Sequence, residues 1–213
     1  MRKIIDTRNT VAGEILSWVE VIALAVILAL LIDGFIIVNA FVPSGSMENT
    51  IPTNSRVMGI RLIYRFKEPE RGDIVVFRYP VAKAMTKQER KEYDVHETYV
   101  KRVIGLPGET VEIRNAGIYI NGSETPLPED YLPEKWELMN TDQTYQVPDN
   151  CYFLLGDNRN HSADSRFWAQ EAVEYGVADN IKEAETFRYV PKEDILGKVY
   201  FRYWPLNRFG SLY

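Results

Sequence analysis

Three stretches of this sequence hold residue types that can make or break a covalent bond. The first, "FVPSGSMENTI" at residues 41 to 51, sets Ser44 and Ser46 either side of a glycine, where an apolar run gives way to a polar domain. Pro, Gly, Ser and Asn also build ordinary turns, so a loop accounts for the stretch unless a neighbouring group activates a serine. The second is "TYVKRVIGLPGE" at 98 to 109. Strand alternation sends Tyr99, Lys101 and Val103 to one face and Val100, Arg102 and Ile104 to the other. If the Lys101 face is the buried one, desolvation favours the neutral amine. Lowering a lysine from its reference pKa of ~10.4 to ~8 costs about 3 kcal/mol of stability and leaves a base usable near neutral pH. The plain alternative is a lysine snorkelling from an exposed edge strand.

The third stretch, "GDNRNHSADSRFW" at 156 to 168, follows an apolar strand and is dense in short hydrogen-bonding side chains. Such residues stabilise turns by bonding to nearby backbone. Asp157, Arg159, Asp164 and Arg166 can also pair as ions, fixing Ser162 or His161 in place. Nucleophilic catalysis by serine needs an adjacent base and donors aimed at the developing oxyanion. Two assignments follow: Ser46 with His161 and Asp157 or Asp164 as a triad, or Ser46 with a neutral Lys101. Composition does not choose between them.

Composition narrows the classes. The 213 residues are 46% hydrophobic and 12% aromatic, enough for a packed interior. The formal charge is -5, with acids and bases interleaved and no basic stripe from position 43 onward, which argues against a nucleic-acid partner. The single Cys151 excludes an internal disulfide and a cysteine-rich zinc site, and reads as a small apolar filler in the strand "CYFLLG". With two histidines, His96 and His161, a histidine-built metal centre is not expected.

These groups must be held by an outward domain behind an anchor. The run "VIALAVILALLI" at 21 to 32 extends to a membrane-spanning segment over 17 to 38, with Glu20 and Asp33 near its two interfaces. A cleaved signal peptide ending at "VNA", 38 to 40, and a buried core helix are the competing readings. Arg2, Lys3 and Arg8 precede the run, so residues 1 to 16 are expected on the cytoplasmic side and 39 to 213 outside. Strands are expected at 35–42, 56–64, 74–79, 99–104, 110–114, 118–120, 151–155 and 198–203, making a mainly β, antiparallel domain. Residues 80–97 and 169–187, charged and mildly helical, read as surface insertions.

The motifs "PSGSM" behind a hydrophobic anchor, "YVKRVIGLPGE" and "GDNRNHSADSR", in that order, resemble bacterial signal peptidase I, a membrane-bound serine/lysine protease. "RGDIVVFRYP" and "ILGKVYFRYWP" extend the resemblance over roughly residues 10 to 210 outside the insertions. It implies a barrel-like antiparallel β fold with an apolar surface against the membrane, Ser46 as nucleophile, Lys101 as general base, and Ser44 with the Ser46 N–H as oxyanion hole. It also implies that Ser162 hydrogen-bonds and orients the lysine, that Asp164 and Arg166 form a supporting ion pair, and that Pro43, Met47, Tyr99 and Val100 lie near the substrate pockets. His161 would be a bystander. The implied substrates are preproteins with small residues at the first and third positions before the cut, cleaved by a monomer at a lipid bilayer without metal or cofactor. Two departures stand out: Asn49 replaces the proline usual after the nucleophile, and 169–187 lengthens a connection that is short in the family. The larger second domain of some relatives would be reduced to residues 120–150.

Overall fold

The computed structural model describes residues 11–48, 50–132, 136 and 143–213. The basic residues Arg2, Lys3 and Arg8, the departure at Asn49 and part of the 120–150 segment lie outside these.

The chain opens with one long helix, α1 (Val11–Phe35). At 1.5 Å per residue its 25 residues rise ~37 Å, longer than a ~30 Å hydrocarbon layer. Its apolar side chains are exposed all round, Leu24 and Leu30 among them. A core helix would hide them, so that reading is excluded. The strand β1 (Ile37–Val42) starts two residues after the helix ends at Phe35.

The remaining strands are β2 (Ser55–Ile60), β3 (Ile74–Arg78), β4 (Thr98–Gly105), β5 (Thr110–Arg114), β6 (Gly117–Ile120), β7 (Gln143–Gln146), β8 (Cys151–Leu155), β9 (Val190–Pro191), β10 (Ile195–Trp204) and β11 (Gly210–Ser211). The larger sheet has the order β1-β2-β10-β3-β4-β8-β9, with β11 beside β10, and the smaller has the order β6-β5-β7. All pairings are antiparallel, as the sequence pattern leads one to expect. The expected strand at 56–64 stops at Ile60, and the chain then turns through a short 3-10 segment, Leu62–Arg65. Strands β7, β9 and β11, four, two and two residues long, carry too little pattern to be read from sequence. Cys151, at the first residue of β8, is half-buried rather than buried.

Strand β4 sits mid-sheet with both edges paired, and Val100 through Gly105, which alternate between its two faces, are all buried, so both faces are covered. Opposite it on β3, Val75 pairs with Lys101 and Phe77 with Tyr99. Lys101 therefore shares its face with Val75, Phe77, Tyr99 and Val103, which belong to one apolar cluster.

That cluster corrects the reading of 80–97 and 169–187 as surface insertions. The first stretch forms α2 (Pro80–Ala84) and α3 (Lys87–Glu92), and the second forms α4 (Trp168–Glu174) and α5 (Ile181–Ala184). Only α3 is free of buried residues. Val81, Ala82 and Met85 from the first stretch, and Ala169, Ala172 and Ala184 from the second, pack in the same core as Phe77 and Val103. The key is Trp168, fully buried, with its ring 5.6 Å from Phe77 and 5.5 Å from Tyr79. Small alanines let short helices approach the sheet closely, and their low hydrophobicity makes such helices look superficial in sequence.

Trp168→Ala is accordingly expected to lower the unfolding free energy by about 3–5 kcal/mol, whereas Lys87→Ala on the exposed α3 stays within about 0.5 kcal/mol. Urea denaturation of the detergent-solubilised chain measures both; equal effects would return the 169–187 region to the surface.

Candidate active site

The Ser46 loop is seated by its neighbour. Met47 is fully buried in a cluster with Val42, Ile51, Val76 and Val100. It pins the loop from below and does not line the cleft, contrary to the pocket role implied for it. Ser44 is extended, but the chain then enters a 3-10 turn, Gly45–Met47, so the two serines are not on one extended face. The turn brings Ser44 Oγ to donate to Ser46 Oγ at 3.3 Å.

A second loop clamps this turn. Ser46 O accepts from the Asn158 N–H at 3.1 Å, and Gly45 O accepts from Asn158 Nδ2 at 3.0 Å. Thr50 Oγ1 donates to Asp157 Oδ2 at 2.5 Å. Gly156 allows the close approach: a Cβ there would lie 2.4 Å from Ser46 O and 2.2 Å from Ser162 Oγ. Gly156 and Asn158 were not singled out from sequence. Their signal was present in "GDN", but turn chemistry alone explains that tripeptide until the Ser46 loop is seen beneath it.

Lys101 reaches Ser46 from the mid-sheet strand, with Nζ 2.6 Å from Ser46 Oγ. The lysine is 4% exposed and the serine 7%. Burial lowers the Lys101 pKa from 10.5 to about 8, although the carboxylates of Asp164, Glu171 and Asp157 pull it upward. A 2.6 Å contact serves either protonation state: an ammonium donates to the hydroxyl oxygen, and a neutral amine accepts the hydroxyl proton.

The acidic residues have other partners. Asp157 takes a bidentate contact from Arg102, Nε to Oδ1 at 2.8 Å and Nη2 to Oδ2 at 2.6 Å, both residues being buried. Asp164 takes one from Arg166, Nε to Oδ1 at 2.8 Å and Nη2 to Oδ2 at 2.9 Å, and accepts from the Gly156 N–H at 3.1 Å. Burial alone would raise the Asp164 pKa, yet the Arg166 charge and these hydrogen bonds prevail and hold it below the usual carboxylate value. The Asp164–Arg166 pair thus forms as expected, while Arg159 pairs outside the loop, with Glu129. His161 is exposed, and neither Asp157 nor Asp164 orients it, which removes the geometry a triad requires.

Ser162 is buried beside Asp164, whose pKa its hydroxyl helps to lower, and its Oγ makes no hydrogen bond to Lys101. The bond from Ser162 to the lysine implied by the family resemblance is therefore not made in this arrangement. An open cleft of about 530 Å³ runs over the site, lined by Pro43, Ser44, Ser46, Tyr99, Val100 and Lys101 together with His96, Ala163 and residues 39–42 of β1. Sequence reading missed the β1 contribution, which depends on that strand being the edge of the sheet.

The lysine leaves a signature in stability. Its folded pKa of about 8 lies below its ordinary 10.5, so between those values the unfolded chain binds more protons and stability rises with pH, by about 3 kcal/mol across the window. Below pH 8 that contribution is absent. Subtracting unfolding free energies of Lys101→Met from those of the parent at each pH isolates the term from other titrating groups; a difference that stays flat from pH 8 to 10.5 would show a solvated amine.

A family model described as "Signal peptidase, peptidase S26" matches residues 15–204 of the chain. A signal peptidase I of Leptolyngbya laminosa is 36% identical over 200 residues, covering 94% of this chain and 85% of the relative. Signal peptidase I S of Bacillus subtilis (strain 168) is 40% identical over 162 residues, covering 72% of this chain and 79% of the relative. A crystal structure of a signal peptidase I from Enterococcus faecalis V583 is 33% identical, with a TM-score of 0.42, covering 62% of this chain and 97% of that one. With nearly the whole chain matched by both the family model and its relatives, the protein belongs to the signal peptidase family, peptidase S26, and is a serine peptidase of the signal peptidase I kind.

Proposed function

We propose that the chain removes N-terminal signal peptides from exported preproteins through an acyl-enzyme on Ser46, with neutral Lys101 as general base. The observation that carries this reading is the 2.6 Å separation of Lys101 Nζ from Ser46 Oγ, with both residues buried at the floor of the cleft. The Ser46 hydroxyl gives its proton to the amine as Oγ attacks the carbonyl carbon before the cut. The ammonium so formed protonates the departing amine. Water then enters the vacated half of the cleft, and Lys101 takes its proton as it hydrolyses the ester.

Ser44 is placed to serve the oxyanion. Its hydroxyl, now 3.3 Å from Ser46 Oγ, turns about one bond to meet the negative oxygen alongside the Ser46 N–H. Substrate lies extended between the free edge of β1 and the start of β4, where backbone pairing supplies affinity without reading sequence. Pro43, Tyr99 and Val100 shape the adjoining pockets, which select small residues at the first and third positions before the cut. Asp164 and Arg166 hold the 156–166 loop, and with it Asn158, against the nucleophile.

The exposed helix α1 anchors the enzyme in the cytoplasmic membrane, its N-terminus inside and the sheet domain outside. Cleavage after Ala40 would cut β1 in the middle of its six-residue ladder with β2, which favours a retained anchor over a processed signal.

Purified full-length protein with a preprotein tests this. Ser46→Ala and Lys101→Ala each lower turnover by at least ~10⁴-fold with the fold retained, and His161→Ala stays within about twofold of the parent. A Lys101→Ala variant that still cleaves would transfer the role of base elsewhere, and an inactive parent would reduce the chain to a binding protein. Because the amine must be neutral, kcat/KM climbs about tenfold per pH unit up to about 8 and then levels; a profile flat below pH 7 contradicts lysine as the base.

A further inference from the structure

Three carboxylates act on the Lys101 amine, and one differs from the others. Asp157 and Asp164 each take two hydrogen bonds from an arginine, whereas Glu171 has no cation within ion-pair distance among the described residues. Its partner is a neutral hydroxyl: Tyr79 Oη donates to Glu171 Oε2. Glu171 is half-buried on α4, three residues after Trp168 and so on the same face of the helix. Burial pushes its carboxyl above the usual carboxylate value. A carboxylate withdrawn from water without a cation costs stability, and such groups gather where their charge serves chemistry.

A row of aromatic rings joins this carboxylate to the amine. The fully buried Tyr79 ring stacks on Tyr99, with centroids 4.5 Å and planes 15° apart. Lys101 Nζ stands 5.7 Å from the centre of the Tyr99 ring, which also forms a wall of the cleft. The stack fixes where the Tyr79 hydroxyl lies, and the hydroxyl in turn fixes the carboxylate. The titratable and charged groups facing Glu171 are Tyr79 at the start of α2, Tyr99 and Lys101 on β4, Asp164 in the 156–166 loop, and Glu174 and Tyr175 at the end of α4. The amine itself also faces Asp157 and Arg166.

We infer that Glu171 is a positioning residue for the Ser46–Lys101 pair: fixed behind the Tyr79–Tyr99 stack, its charge favours the ammonium that Lys101 becomes while it holds the Ser46 proton. This rests on the reading of Lys101 as the base. The proton passes from Ser46 Oγ to Nζ and on to the departing amine, so a nearby carboxylate steadies the lysine at the stages when it is charged. The same charge works against the resting enzyme, because it enlarges the share of ammonium, which cannot accept a proton. Glu171 thus lowers activity in acid and strengthens the base in alkali. A residue that only filled space would act in the opposite sense in acid, since its loss would let water reach the amine and favour the ammonium.

The test is the pH dependence of kcat/KM for the full chain in detergent with a preprotein. In Glu171→Gln, whose amide oxygen still accepts from Tyr79, the midpoint of the acid limb falls by about 0.5 pH unit. The rate near pH 6.5 then rises about twofold over the parent, while the plateau above about pH 8.5 falls about twofold. Tyr79→Phe keeps the stacked ring and frees the carboxylate to turn into water; it moves the midpoint the same way, and the double variant moves it no further than Glu171→Gln alone. Glu174→Gln, which removes an exposed charge from the same helix, leaves the profile in place. A midpoint that stays put in Glu171→Gln, or that rises with a loss of rate at every pH, overturns the inference, as does an equal displacement in Glu174→Gln. Those results leave Lys101 as the base. A Lys101→Ala variant that still cleaves removes the base reading and the role of Glu171 together.

Discussion

An amine without water is the condition on which the proposed chemistry depends. An ammonium in bulk solution is an acid, and no arrangement of serine beside it would yield a nucleophile near neutral pH. The sheet supplies the dry environment: β4 is covered on both faces, and the apolar groups of Val75, Phe77, Tyr99 and Val103 share a face with the lysine stem. Against this work the charges of Asp164, Glu171 and Asp157, each of which favours the ammonium. Desolvation is the largest influence, and the Arg166 charge, paired with Asp164, adds to it in the same direction. Such an ion pair is often a poor source of net stability when buried. Here its chemical value lies in shielding the amine from nearby negative charge.

Ser46 is held by a different logic. Ser46 sits on a three-residue turn, a structure too short to be stable alone, and owes its position to Met47 below and Asn158 above. Two independent loops thus meet on the back of Ser46, one carried by β1 and the other by β8. Gly156 is the contact point where neither loop has room for a side chain.

Much of the site was legible in the sequence because strand alternation and short polar motifs are local properties. The period-two pattern of "TYVKRV" placed Lys101 among apolar neighbours before any fold was known, and "PSGSM" behind an apolar run pointed to Ser46, which lies 2.6 Å from that lysine. What failed to show were properties that depend on assembly. Arg159 was expected to close its own loop, yet Glu129 lies closer in space. Met47 was given a pocket role, yet its unbranched side chain fills the core under the turn. Residues 169–187 looked superficial because their buried face consists of alanines, whose contribution is the space they leave for Trp168 to reach Phe77.

The direct join between α1 and β1 carries a mechanical implication. Only one residue separates the end of the helix from a six-residue strand, and that strand runs straight to the turn that carries Ser46. At ~3.3 Å per residue β1 is a rod of about 20 Å, clamped along its length by β2. The height at which a peptide bond can be cut is therefore set by a fixed ruler fastened to the lipid, and a polypeptide threaded at another depth would miss the blade whatever side chains it offered.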